Sequence, residues 1–419
     1  MIGIQKYGRW LGVISILVIS VFLLTKCISS GKDKDQQDPG EDASGRKVNF
    51  SQFTGSAVCA GCHQDIYEKH LKTGHFLTSQ PALEEYIRGH FEPGKNEFVY
   101  SPLTKVVMEK RDSGFYQVVY QAGREKMALR FDIVTGSGAK GQSYLYWSNN
   151  RLFQMPLTYY SIADQWANSP GFPHKVVLNR PITSRCLECH ATYAELISEP
   201  GKEPEEFDRN KMLFGVDCEK CHGPAAGHVE FHTANPGEKQ ARQIINPASL
   251  TRQQNLDLCG MCHGGALKKT KPSFGFVAGD SLADFFELKD LANATPTFDN
   301  IDVHGNQMGL LKASKCFTQS NMTCNSCHSS HENERGNKRL FSQRCMSCHK
   351  PDHDNFCKMA PGLGTTITSN CIDCHMPLQR SRAITLDLPG LEVPVAASVR
   401  SHFISIYPDE VRKFLNEKK

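Results

Sequence analysis

The alternation of apolar and polar positions changes character along the chain, and each change predicts a different kind of element. Basic residues Lys6 and Arg9 precede an apolar run from Leu11 to Leu24. That run is shorter than the ~20 apolar residues of a spanning helix, so its layout reads as an export signal rather than as fold. Residues Ile28 to Arg46 are polar, charged and rich in Gly and Ser, the composition of a flexible tether, so folding is expected to begin near Phe50. Between Phe98 and Tyr160, β-branched and aromatic residues dominate the stretches FVY, KVVMEK, FYQVVYQAG, KMALRFDIV and SYLYWSNNRLFQM. These predict an antiparallel sheet with a hairpin turn at Ser148-Asn149-Asn150. The aromatics Tyr144, Tyr146, Trp147, Phe153, Tyr159 and Tyr160 are read as core rather than as a binding surface. From Cys186 onward, short helical turns alternate with loops rich in Gly, Pro and Asn, and no long amphipathic helix stands out. The tail YPDEVRKFLNEKK places Val411, Phe414 and Leu415 at helical spacing, predicting a helix from Pro408 to Lys418.

Apolar residues make up 39% of the 419 residues, with 17 cysteines and 17 histidines. That composition suggests a core filled partly by something other than side chains. The cysteines explain it. CxxCH occurs seven times, at Cys59-Cys62-His63, Cys186-Cys189-His190, Cys218-Cys221-His222, Cys259-Cys262-His263, Cys324-Cys327-His328, Cys345-Cys348-His349 and Cys371-Cys374-His375. Chance at this composition would give on the order of 0.03. Two thiols three positions apart lie along one helical turn and can add to the two vinyl groups of a haem, while the following His supplies the proximal ligand to iron. Zinc needs four ligands and makes no demand on the residue after the second Cys. Redox CxxC motifs come singly, and a disulfide framework suits far smaller secreted chains. The spacing therefore assigns seven covalent haems c.

The formal charge of +4 is offset by haem propionates, ionised near neutral pH, and no basic cluster argues for nucleic acid. Cys316 and Cys357 are left over in the mature region and are expected to pair as a disulfide in an oxidising compartment.

The fragments CAGCHQDIYEKHLKTGHF, CEKCHGPAAGH, and CNSCHSSH followed by CIDCHMP resemble the multihaem cytochromes c related to the tetrahaem cytochrome c and the octahaem hydroxylamine oxidoreductase of nitrifying bacteria. They cover about a quarter of the chain. The resemblance implies a second axial His for most irons and nominates His75, His228, His304, His331 and His402, with His353 and His70 as weaker candidates; His90, His174 and His232 are read as non-ligands. Ten histidines lie outside the motifs, enough for seven bis-His irons. Met376 directly follows a proximal His and cannot easily cross to the other face, so mainly low-potential, low-spin haems are expected. Cys27, preceded by Leu24, Thr25 and Lys26, resembles a lipoprotein cleavage site except that Lys26 is not small. Lipidation and an uncleaved anchor both stay open.

The expected fold is a mostly α and irregular multihaem cytochrome c fold, short helices wrapped around haems with sparse regular structure, plus a small inserted antiparallel β-sheet module. The expected organisation is an export segment at 1–27, a tether at 28–49, a first haem segment at 50–95, a β-rich insertion at 96–180 and a six-haem region at 181–419. The functional expectation is an exported cytochrome, on the periplasmic side and membrane-anchored, that passes electrons between redox donor and acceptor proteins or a quinol-linked membrane complex. The alternative is an oxidoreductase acting on a small nitrogen or sulfur compound at one open-site haem. Against it, the chain has no CxxCK motif and no evident tyrosine cross-link motif.

Overall fold

The computed structural model describes residues 47–199, 201–288, 302 and 305–416. The expected export segment, most of the expected tether, Cys27, His304 and the last two residues of the helix expected to Lys418 lie outside the described residues. Among the described residues no helix is long and apolar enough to cross a membrane.

The chain enters through the helix Ser56–His70, which carries the first motif and bends at His63 (φ −122°, ψ 40°). Strands follow: β1 (Ser79–Pro81), β2 (Glu97–Ser101), β3 (Thr104–Arg111), β4 (Gly114–Gln121), β5 (Arg124–Arg130), β6 (Ile133–Thr135), β7 (Ser143–Ser148), β8 (Arg151–Gln154), β9 (Leu157–Tyr160), β10 (Gln165–Asn168) and β11 (Arg180–Pro181). Strands β2 to β5 form a four-stranded antiparallel meander, and β1-β6-β7-β8-β11 form a five-stranded sheet. Each of the five β-rich stretches read from the sequence forms strand. The β7–β8 hairpin turns at Asn149 and Asn150, with Ser148 paired to Arg151 and Asn149 at φ 53°, a conformation that Asn tolerates better than most residues.

Period-two burial builds the core between these sheets. Val106 and Met108 of β3 point inward with Phe98, Phe131, Tyr144, Met155 and Trp166. The buried amide of Gln117 is satisfied on both sides, donating to Leu157 O (2.8 Å) and accepting from Leu157 N (3.0 Å), as a buried polar group must be. Tyr144, Tyr159 and Tyr160 are buried, while Tyr146, Trp147 and Phe153 are half-buried, so the aromatics serve mainly as core. A second apolar cluster joins Ile133, Leu145 and Leu152 to Leu187, Ala191, Tyr193, Phe207 and Phe274. It seats the helix Ser184–His190, which carries the second motif, on the five-stranded sheet.

The expectation of a mostly α and irregular fold is wrong. The chain is about 29% helical and 26% strand, and strand pairs continue between and beyond the motifs: β12 (Ala191–Leu196) with β13 (Phe207–Phe214), β14 (Lys268–Lys269) with β15 (Phe286–Glu287), and, after the last motif, β16 (Leu378–Leu386) with β17 (Val395–Arg400). The physical reason is that each backbone N–H and C=O withdrawn from water needs a partner, and antiparallel ribbons supply them between helices only a turn or two long. Strands β16 and β17 also meet the β-rich half, through a bridge from Asn168 to Asp387. Short helices do carry the motifs, and the helix Pro408–Asn416 closes the described chain.

Candidate haem-binding sites

Every CxxCH motif lies on or beside a short helix. The second, third and fourth end the helices Ser184–His190, Cys218–His222 and Arg252–His263. The fifth begins with the 3-10 turn Cys324–Ser326, the sixth extends the helix Lys338–Met346, and the seventh coincides with the helix Ile372–His375. The fourth is set by a capping box in which Thr251 accepts from Gln254 N and Gln254 reaches back to Thr251 N. The third begins at Asp217, whose carboxylate accepts from Cys218 N (2.8 Å). Buried Glu219 then ties this motif to the first, accepting from Thr54 N (3.0 Å) and Gly55 N (2.8 Å) at the entry of the helix Ser56–His70 and from Ala225 N (2.8 Å).

Five of the motif histidines are oriented through one ring nitrogen. His190 Nδ1 lies 3.1 Å from Thr78 Oγ1, His222 Nδ1 2.9 Å from Ile245 O, and His263 Nδ1 3.1 Å from Gln307 Oε1. His349 Nδ1 lies 2.8 Å from Asn355 O and His375 Nδ1 2.8 Å from Ser405 O. A proton held on Nδ1 leaves the Nε2 lone pair for a metal, the usual outer-shell device of ligating histidines.

Three motif histidines, His222, His263 and His328, each face a histidine from a distant segment. Ring centres are 6.3 Å apart for His75 and His263, 6.1 Å for His222 and His331, and 6.1 Å for His328 and His402. A metal–imidazole bond is about 2 Å and each ring centre lies roughly 1 Å beyond its nitrogen, so two imidazoles gripping one metal from opposite sides are about 6 Å apart. Rotation about the common axis is free, so the interplanar angles of 62°, 13° and 30° are all compatible. The residues present therefore fit iron held between two imidazoles. Desolvation is the largest influence on all six rings and lowers each pKa, to about 4 for His75 and His402. It favours the neutral imidazole that a metal requires.

His75 is placed by backbone. Its carbonyl accepts from Val216 N (2.9 Å) and Thr78 N (3.1 Å). Gly215, at φ +68°, lies so close to Phe76 that an added Cβ would meet its carbonyl oxygen at 2.3 Å.

The other nominated histidines do not form such pairs in the described structure. His228 orients Nδ1 toward Arg242 O (2.8 Å), with its ring 4.6 Å from that of His232, too close for a shared metal between them. His70 Nε2 lies 3.3 Å from Asp217 Oδ1, and His353 sits exposed in a turn. His90 contacts Glu92 and Asp164, and His174 contacts Asp387 and Tyr100 O. The sequence reading missed the acceptors that orient the proximal rings; most are backbone carbonyls, which every residue carries and no motif marks.

The motifs are also neighbours of one another. Thiols of different motifs lie close enough to influence one another's ionisation: Cys59 and Cys218, Cys189 and Cys262, Cys259 and Cys324, and Cys345 and Cys371. Cys221 interacts with Cys259, and Arg344, just before Cys345, donates to Cys327 O (2.5 Å). The motifs thus run in the order first, third, fourth, fifth, sixth, seventh, with the second beside the fourth. The expected disulfide is absent: Cys316 and Cys357 are both free thiols. Cys316 faces Cys327, Cys345 and Cys348, whereas Cys357 lies toward Cys374, so each thiol is engaged in a different motif neighbourhood.

Residues 163–223, spanning the second and third motifs, match the family model described as cytochrome c554 and c-prime. Among solved structures the chain is similar to the one titled "Crystal Structure of Outer Cell Wall Cytochrome OcwA", at 17% identity and a TM-score of 0.49, covering 86% of this chain and 81% of that one. No curated protein matches.

Proposed function

We propose that this chain is an exported seven-haem c-type cytochrome that carries electrons along its line of motifs. The observation that carries the reading is the set of three imidazole pairs, each joining a motif histidine to a distant histidine across about 6 Å, the separation one metal requires. The match of residues 163–223 to a cytochrome c family model supports it independently. Haem, when bound, supplies a one-electron iron couple tuned by its axial ligands and by burial. The chain holds it by two thiols at each motif, orients the proximal imidazole through Nδ1, and presents His75, His331 and His402 to the fourth, third and fifth motifs. The contiguity of the motifs suits relay between a donor and an acceptor protein, and the N-terminal signal layout suits a periplasmic, membrane-anchored position.

The test is the intact mass of the purified protein together with its EPR spectrum. Seven haem additions are expected, and His75→Ala, His331→Ala and His402→Ala should each convert one iron from low to high spin. Fewer than seven additions, or unchanged spin counts in all three variants, would overturn the reading.

A further inference from the structure

Attachment motifs two, three and four meet at one place, and the chain directs two cations into it. The Arg185 guanidinium lies 3.3 Å from Cys189 Sγ, donates to Met261 O (3.2 Å) and sits 4.9 Å from the centre of the Phe286 ring. The Lys220 ammonium lies 5.0 Å from the centre of the Phe274 ring, a cation–aromatic contact that strengthens on desolvation. Around it stand Cys189, Cys221 and Cys262, one sulfur from each of the three motifs, with Glu188 as the nearby carboxylate. Glu188 is itself committed: it is 3% exposed, lies 3.4 Å from Arg185 Nη1 and accepts from Phe274 N (2.9 Å). Among the described residues the Lys220 ammonium has no ion pair and no hydrogen bond; only its backbone N–H is engaged, donating to Asp217 O (2.9 Å).

Two half-buried cations therefore face one buried carboxylate. Sulfurs bound as thioethers no longer ionise, so they add no compensating charge. An arriving electron is stabilised by an unneutralised positive charge, and the more so the less water screens it. On the heptahaem reading above, we infer that Lys220, with Arg185, raises the reduction potential where motifs two, three and four meet, making this junction the point at which electrons collect. Both Lys220 and Glu188 occupy the variable positions inside CxxCH, so they can be exchanged without removing an attachment thiol or a ligand. They are positioning residues, acting through charge on groups held by their neighbours.

The experiment is a potentiometric titration of purified holoprotein, with haem number by mass on the same samples. Lys220→Gln is expected to move the most positive component negative by about 59 mV, a tenfold change in a one-electron equilibrium. Glu188→Gln is expected to move it positive, and Lys220→Arg, which keeps the charge, to leave it in place. Seven attached haems with unmoved potentials in Lys220→Gln, or shifts of the same sign in Lys220→Gln and Glu188→Gln, would overturn this inference and leave the cytochrome reading intact. Fewer than seven haems in the wild type would overturn that reading and this inference with it.

Discussion

A single missing atom positions His75. Gly215 holds φ +68°, and its α-carbon passes so close to Phe76 that a Cβ would stand 2.3 Å from the Phe76 carbonyl oxygen. Val216 N, one residue on, holds the His75 carbonyl at 2.9 Å. Gly215→Ala must therefore strain its own backbone and displace the segment that carries His75. The expected outcome is a protein that retains its haem number but gains up to one high-spin iron in EPR, the same iron that His75→Ala exposes. A Gly215→Ala spectrum identical to wild type would show that the segment accommodates the atom. None of this was legible beforehand: CxxCH announces itself because its chemistry needs fixed residue types at fixed spacing. The glycine and the carbonyl acceptors at Ile245, Asn355 and Ser405 act through backbone, which leaves no mark on residue type.

Among the elements, the β-rich stretches before Tyr160 were readable because their apolar positions alternate, as in Val106 and Met108 of β3. Strands β16 and β17 were not. Leu378–Leu386 reads LQRSRAITL, with only Ser381 and Leu386 buried, so hydrogen bonding defines the ribbon while hydrophobic periodicity does not. This ribbon meets the β-rich half through His174, whose Nδ1 lies 2.5 Å from Asp387 Oδ2. The hydrogen bond to Asp387 is the largest influence on His174 and raises its pKa. A histidine with a raised folded pKa contributes stability that is fully present below its unfolded value of about 6.5 and is lost as pH rises through the folded value. The His174 side chain is 55% exposed, so screening limits the contribution to about 0.5 kcal/mol. Wild type should exceed His174→Gln by that margin in denaturant unfolding at pH 5.5, and the gap should close by pH 8.5. A gap that widened with pH would reverse the assignment of charge.

At the scale of the whole molecule, apolar burial is unequally distributed, and the inequality says which half can stand without cofactor. The β-rich half encloses a continuous cluster from Phe98 to Trp166, including Val106, Met108, Phe131 and Tyr144. The motif-bearing half shares the cluster around Leu187, Tyr193 and Phe207 with the five-stranded sheet, and its other described clusters are smaller, such as one around Met261, Leu282, Phe285 and Phe286 and another of Leu256, Met308 and Phe317. Helices as short as Cys218–His222 and Ile372–His375 lie far below the length at which helix is stable alone. On the proposed cytochrome reading much of their order comes from what they attach, so cofactor binding and folding are expected to be coupled in this half. Chain produced without haem attachment should keep slow amide exchange at Val106, Val118 and Val119, while amides of the helices Arg252–His263 and Lys338–Met346 exchange about a hundredfold faster than in the holoprotein, equivalent to about 2.8 kcal/mol of local stability. Uniform protection across both halves would mean that side chains alone hold the motif region. Uniform loss would mean that the β core, despite its continuity, also depends on its contact with the second motif through Leu187, Ala191 and Phe274.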